Sequence, residues 1–177
     1  TGADYIMLKN DKKQKTAVLF AVLYVIFFMF SAVKLPSQIT IKPDILLALA
    51  CVCPLFCDNK FSAVCALVFG FLTDISVTPA QNFSPFLFLL CAYLMPKFAG
   101  GFSRRSAAVC AVCSLPMLFV RSITGILYTL SLYGGTGVSG IIGKKTLPEF
   151  FVNLACVIVT YYISLLLAKT FRLENNY

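Results

Sequence analysis

The chain contains no histidine and no tryptophan, and only 7 of its 177 residues are acidic. Without histidine, neither a Ser-His-Asp nor a Cys-His nucleophile can be assembled. A serine–lysine pair is not expected either, because no serine stands beside a lysine inside an apolar run. Charged residues make up 12% of the chain, about half the ~25% of a typical soluble domain. That is too little polar surface to cover a globule in water. The expectation is a non-enzymatic integral membrane protein with no cofactor.

What is abundant is apolar, 59% of all residues, with a mean hydropathy of +0.87. The apolar residues come in long runs, the signature of bilayer segments. Eight cysteines, Cys51, Cys53, Cys57, Cys65, Cys91, Cys110, Cys113 and Cys156, lie in or at the edges of these runs. Free cysteine packs as a small hydrophobe, so reduced core thiols are expected. Cys110 and Cys113 form a CxxC, but zinc would need two more thiolates at the same depth, and no metal site is expected.

Six runs are legible, at residues 16–33, 45–56, 61–75, 86–95, 106–133 and 150–168. A helix crossing a bilayer needs about 20 residues. Runs two and three are shorter than that, and read best as an antiparallel helical hairpin turned by "CDNK", with re-entrant half-helices as the alternative. Pro116 should kink run five, unless the run tilts. Run one has no small-residue cleavage site behind it and reads as a retained anchor. Residues 1–6 read as a remnant ahead of a native start at Met7. The whole of 1–177 is expected to be one integral membrane domain, with helices over 61–75 and 85–98 around a GFLTD motif.

The net charge of +8 would suggest nucleic acid in a soluble chain. Here the cations flank apolar runs, so they read as topology signals and no nucleic-acid partner is expected. An N-in arrangement places Lys9, Lys12, Lys13, Lys15, Lys60, Lys97, Arg104, Arg105, Lys169 and Arg172 inside, against Lys34, Lys42, Lys144 and Lys145 outside. That excess favours six spans with both termini in the cytoplasm. The loop "GTGVSGIIGKKT" departs from a Walker phosphate loop, with Val138 where glycine is needed and Lys145 where Ser or Thr should follow.

One carboxylate interrupts this pattern. In "ALVFGFLTDI", four strongly apolar residues and Gly70 lead into Asp74. Ser62, Ala66, Gly70 and Asp74 recur every four residues and share a helix face. Small residues on such a face let a neighbouring helix approach. Asp74 is therefore expected to point into protein. Arg121 is the single cation well inside a run, and shares a face with Gly125 and Thr129. Counted from their common inner side, Asp74 and Arg121 stand at about 20 Å and 24 Å along their helices. A buried Asp74–Arg121 pair is expected, with Asp44 as a second acidic partner. One base with one or two acids makes a cluster of nearly balanced charge, for which a packing role is favoured over transport.

The stretch "KPDILLALACVCPLF…ALVFGFLTDI…SPFLFLLCAYLMPKF", over residues 42–98, resembles the rod-shape-determining membrane protein MreD family. The features are Lys42-Pro43-Asp44 opening a short apolar helix, Gly70 to Asp74 closing the next, and a following helix ended by basic residues. The resemblance implies a scaffold subunit of the cell-wall elongation machinery in the bacterial cytoplasmic membrane. It would hold the transmembrane helix of MreC, and through it MreB, RodA and a class B penicillin-binding protein. It also implies a fold similar to the S-components of energy-coupling-factor vitamin transporters. Ala17 and Ala21 form a small-xxx-small pair of the kind S-components use against their membrane partner, which keeps a solute-binding subunit as the alternative. The missing tryptophan and the lack of a polar cluster in the outer loops count against it. Which face binds the partner is not evident from the sequence.

Overall fold

The computed structural model describes residues 2–32, 43–76, 83–101, 106–133 and 146–171. Six α-helices account for its regular structure: α1 (Gly2–Ala32), α2 (Ile45–Phe56), α3 (Asn59–Ser76), α4 (Ser84–Gly100), α5 (Ala107–Tyr133) and α6 (Leu147–Thr170). No strand occurs among the described residues. The loops at 77–82 and 134–145 lie outside them. So do Lys34, Lys42, Arg104, Arg105, Lys144, Lys145 and Arg172, and the side chains of Lys9, Lys12 and Thr129.

Three helices contain segments long and apolar enough to cross a membrane: Lys13–Ala32, Ala107–Tyr128 and Leu147–Thr170. Helix α2, with 12 residues, is only about 18 Å long, against a hydrocarbon core of ~30 Å. Its place explains its composition. Ten of its residues, Leu46 to Leu55, are buried, and α1, α3, α4, α5 and α6 all pack on it. A helix apolar all round belongs in a protein core or across a membrane, and α2 is too short for the second.

The other five helices form a ring around α2. Neighbours touch in the order α1, α3, α4, α5, α6, and the closest pair is α3 with α4. Among the described residues the ring is open between α6 and α1, which share at most a marginal contact. Aromatic rings bridge that opening at one level. Phe20 of α1 stacks on Phe56 at 5.7 Å, and Phe56 meets Tyr161 of α6 at 5.8 Å.

Specific pairs fix the helix directions. Lys13 pairs with Asp58 at 3.2 Å, and the Cys57 thiol reaches the Thr16 carbonyl. The start of the apolar part of α1 therefore lies beside the α2–α3 turn. Asn153 and Tyr161 of α6 meet Asp44 and Phe56 respectively, so α6 runs parallel to α2. The end of α3 meets the start of α4, so α4 also runs parallel to α2. The bundle thus has an Asp44 end and an Asp58 end. Lys13, Lys15, Lys60, Lys97 and Lys169 all fall toward the Asp58 end, while Asp44 and Asp74 mark the other.

Helix α5 is unbroken through Pro116, as α2 is through Pro54 and α4 through Pro96. The run-three helix is longer than its apolar stretch, starting at Asn59 and ending at Ser76.

Candidate functional site

The α3 stripe faces protein along its whole length. Ser62, Ala66 and Asp74 are buried, as is Gly70. The opposite face of α3 carries its large apolar residues outward: Val64, Val68, Phe71 and Ile75 are 49–75% exposed. The helix is inverted relative to a surface helix in water, with small and polar residues inward and bulk outward. In water, contiguous exposure of this kind is rare in a monomer. Facing lipid it costs nothing, because lipid tails are as apolar as leucine.

Gly70 is required by close approach. A Cβ there would lie 2.5 Å from Pro85 Cα and 2.8 Å from Pro85 N, so any side chain would meet backbone that cannot rotate away. One turn further on, Asp74 accepts the backbone N–H of Ser84, at 3.2 and 3.4 Å to its two oxygens. The first N–H groups of a helix have no partner within it, and a carboxylate there also meets the positive end of the helix dipole. Gly70 and Asp74 together seat the start of α4 on the end of α3. Further along the stripe, the Ser62 hydroxyl lies 3.5 Å from the Cys53 sulfur of α2.

The ion pair of Arg121 corrects the expectation drawn from the sequence. Its Nε lies 3.2 Å from Asp44 Oδ2, both side chains being 13–14% exposed. Asp74 is not its partner among the described residues, because that carboxylate is taken up by α4. The sequence offered Asp44 as a second partner, whereas the fold makes it the centre. Asp44 Oδ1 accepts from the Leu47 N–H at 3.1 Å and so caps α2. Its own N–H donates to Asn153 Oδ1 at 2.8 Å. One residue thus joins α2, α5 and α6.

Asn153 was missed by sequence reasoning. Its signal is the lone amide in "FFVNLAC", a polar side chain in an apolar run that must find a partner when buried. It is 4% exposed.

The eight cysteines are free, and six of them are buried. Cys51 and Cys91 touch at 3.7 Å between α2 and α4. In the α2–α3 turn, hydrogen bonding with Cys53 and burial push the Cys57 thiol well above its ordinary value, away from the reactive thiolate. No group of three or more metal-binding side chains occurs among the described residues.

What this arrangement does chemically is hold helices. Asp44, Arg121 and Asn153 form one neutral clamp, and Gly70, Asp74 and Ser84 form a second. No family model, curated protein or solved structure matches the chain.

Proposed function

We propose that this chain is a non-enzymatic scaffold of the bacterial cytoplasmic membrane that holds the single transmembrane helix of a partner. The observation that carries this reading is the open ring. Helices α1 and α6 are long and apolar enough to cross a membrane, and only 17% and 28% of their apolar windows are buried within the protein. They flank the one gap around α2 among the described residues. Val22, Met29 and Phe30 on α1, with Val159 and Leu166 on α6, are exposed. A bilayer gives little hydrophobic drive for helix association, so a seam between two helices is where close packing can supply the contact.

The gathering of cations at the Asp58 end supports an orientation with that end, and both termini, in the cytoplasm. The resemblance of residues 42–98 to the MreD family supports MreC as the partner, and through it the elongation machinery of MreB, RodA and a class B penicillin-binding protein. The two clamps keep α2 and α4 fixed, so that the seam has a rigid floor.

The test is photo-crosslinking from Met29 and Leu166 in native membranes. Crosslinks from both positions to one bitopic membrane protein are the expected result. Tight binding of a vitamin-sized solute together with recovery of ATPase subunits, and no bitopic partner, would replace this reading with the S-component alternative.

A further inference from the structure

The groove between α3 and α4, on the outer surface toward the Asp58 end, is a separate feature. It encloses about 330 Å³ and is lined by Asn59 and Ala63 of α3 and by Phe86, Leu89, Leu90 and Tyr93 among others on α4. That volume lies at the lower end of ligand pockets, which run from ~300 Å³. From Tyr93 to Phe86 the groove follows α4 for about 10 Å. A slot of this length presents a narrow apolar surface to whatever lies against it.

Its polar rim says what that is. Lys97 Nζ donates to the Tyr93 hydroxyl at 2.7 Å and sits 4.1 Å from the centre of the same ring. Tyr93 is 61% exposed, and Lys97 is exposed with no acidic partner among the described residues. Lys60, next to the lining residue Asn59, is exposed as well. An aromatic ring with an amphipathic lysine at a helix end is the arrangement found at headgroup depth. A cation therefore stands at the mouth of an apolar slot that descends along the helix toward the bilayer interior. We propose that this groove is a binding site for an anionic phospholipid, with its phosphate on Lys97 and one acyl chain against Ala63, Leu89, Leu90 and Phe86. The site lies on the α3–α4 side of the ring, away from the α1–α6 seam, and does not depend on the partner reading.

The test is native mass spectrometry of the full chain in detergent, titrated separately with phosphatidylglycerol and phosphatidylcholine. The expected result is one retained lipid, with phosphatidylglycerol preferred. Lys97→Gln should lower that preference about fivefold, the usual effect of one basic residue near an anionic surface. Lys97→Arg should restore it, and Tyr93→Phe, which removes the hydroxyl contact but keeps the cation, should leave the preference in place. Ala63→Leu, which fills the slot, should reduce retention of both lipids. Equal retention of the two lipids by wild type, or no response to Lys97→Gln and Ala63→Leu, would overturn the proposal. A second copy of the chain in the groove, seen as dimers lost with Ala63→Leu while neither lipid is preferred, would overturn it too.

Discussion

The two arms of the α2–α3 hairpin use apolar residues in opposite ways. Helix α2 is apolar on every face and every face is against protein. Helix α3 contains Asn59, Lys60, Ser62, Thr73 and Asp74, yet turns Val64, Val68, Phe71 and Ile75 to the outside. The more apolar arm is the one covered by protein, and the less apolar arm is the one whose bulky residues are exposed. Mean hydropathy therefore cannot say which helix is covered; the distribution around the helix can. A stripe of small and polar residues marks the protein side, and the bulky residues mark the other.

Several changes would break or sharpen that contrast. The largest effect is expected where the enclosed arm is anchored. Arg121→Met leaves the Asp44 carboxylate partly buried without its counter-charge, at a cost of about 3 kcal/mol, the lower end for a broken buried pair because Asp44 keeps its capping bond. Asp44→Ala together with Arg121→Met should cost less than the sum of the two single changes, whereas Asp74→Ala with Arg121→Met should be additive. Unfolding of the purified protein in mixed detergent–SDS micelles measures both cycles. Coupling between Asp74 and Arg121 would show that the carboxylates had been assigned the wrong roles.

Gly70→Ala comes next. The new Cβ meets the Pro85 backbone, so α4 must shift as a unit, at roughly 2–3 kcal/mol by the usual cost of overpacking. The same assay should show it, and crosslinks placed between α3 and α4 should lose efficiency. Leu49→Ala in α2 should cost about 2 kcal/mol, read as a lower midpoint in the SDS titration. This is the low end for a core leucine, because transfer to lipid contributes little and the cavity carries the penalty.

Asp74→Ala removes the α4 cap and should cost about 1 kcal/mol, while Asp74→Asn keeps an acceptor and most of the stability. Thermal melts in detergent will separate the two. Least of all, Val68→Ala on the outward face should change stability by under ~0.5 kcal/mol. If Val68→Ala cost as much as Leu49→Ala, the outer face of α3 would have to be covered by another protein surface.

The contrast also explains what could be read in the sequence. The α3 stripe was legible because a four-residue period fixes a face without knowledge of the neighbour. The hairpin was legible from two short runs and a turn. The partner of Arg121 was not, since Asp44 and Asp74 are both acids toward the same end of the bundle. The choice between them is made by α4, whose first N–H takes Asp74. That bond joins residues 10 apart in sequence; the sequence places the start of α4 but not the acid that its first N–H will meet. The lengths of runs two and three showed that neither matches a free-standing span, but the enclosure of α2 depends on where four other helices settle. The open α1–α6 seam follows from contacts between elements at opposite ends of the chain, which no local pattern encodes.

The Asp44 clamp also has a consequence in time. Asp44 is synthesised early, and the Asn153 that accepts its N–H follows 109 residues later. At about 5–20 residues per second, the ribosome needs roughly 5–20 s to supply it, with Arg121 arriving in between. Until Arg121 appears the Asp44 carboxylate lacks its counter-charge, and until Asn153 appears the Asp44 N–H lacks its acceptor. The clamp is therefore complete only once α6 has been made.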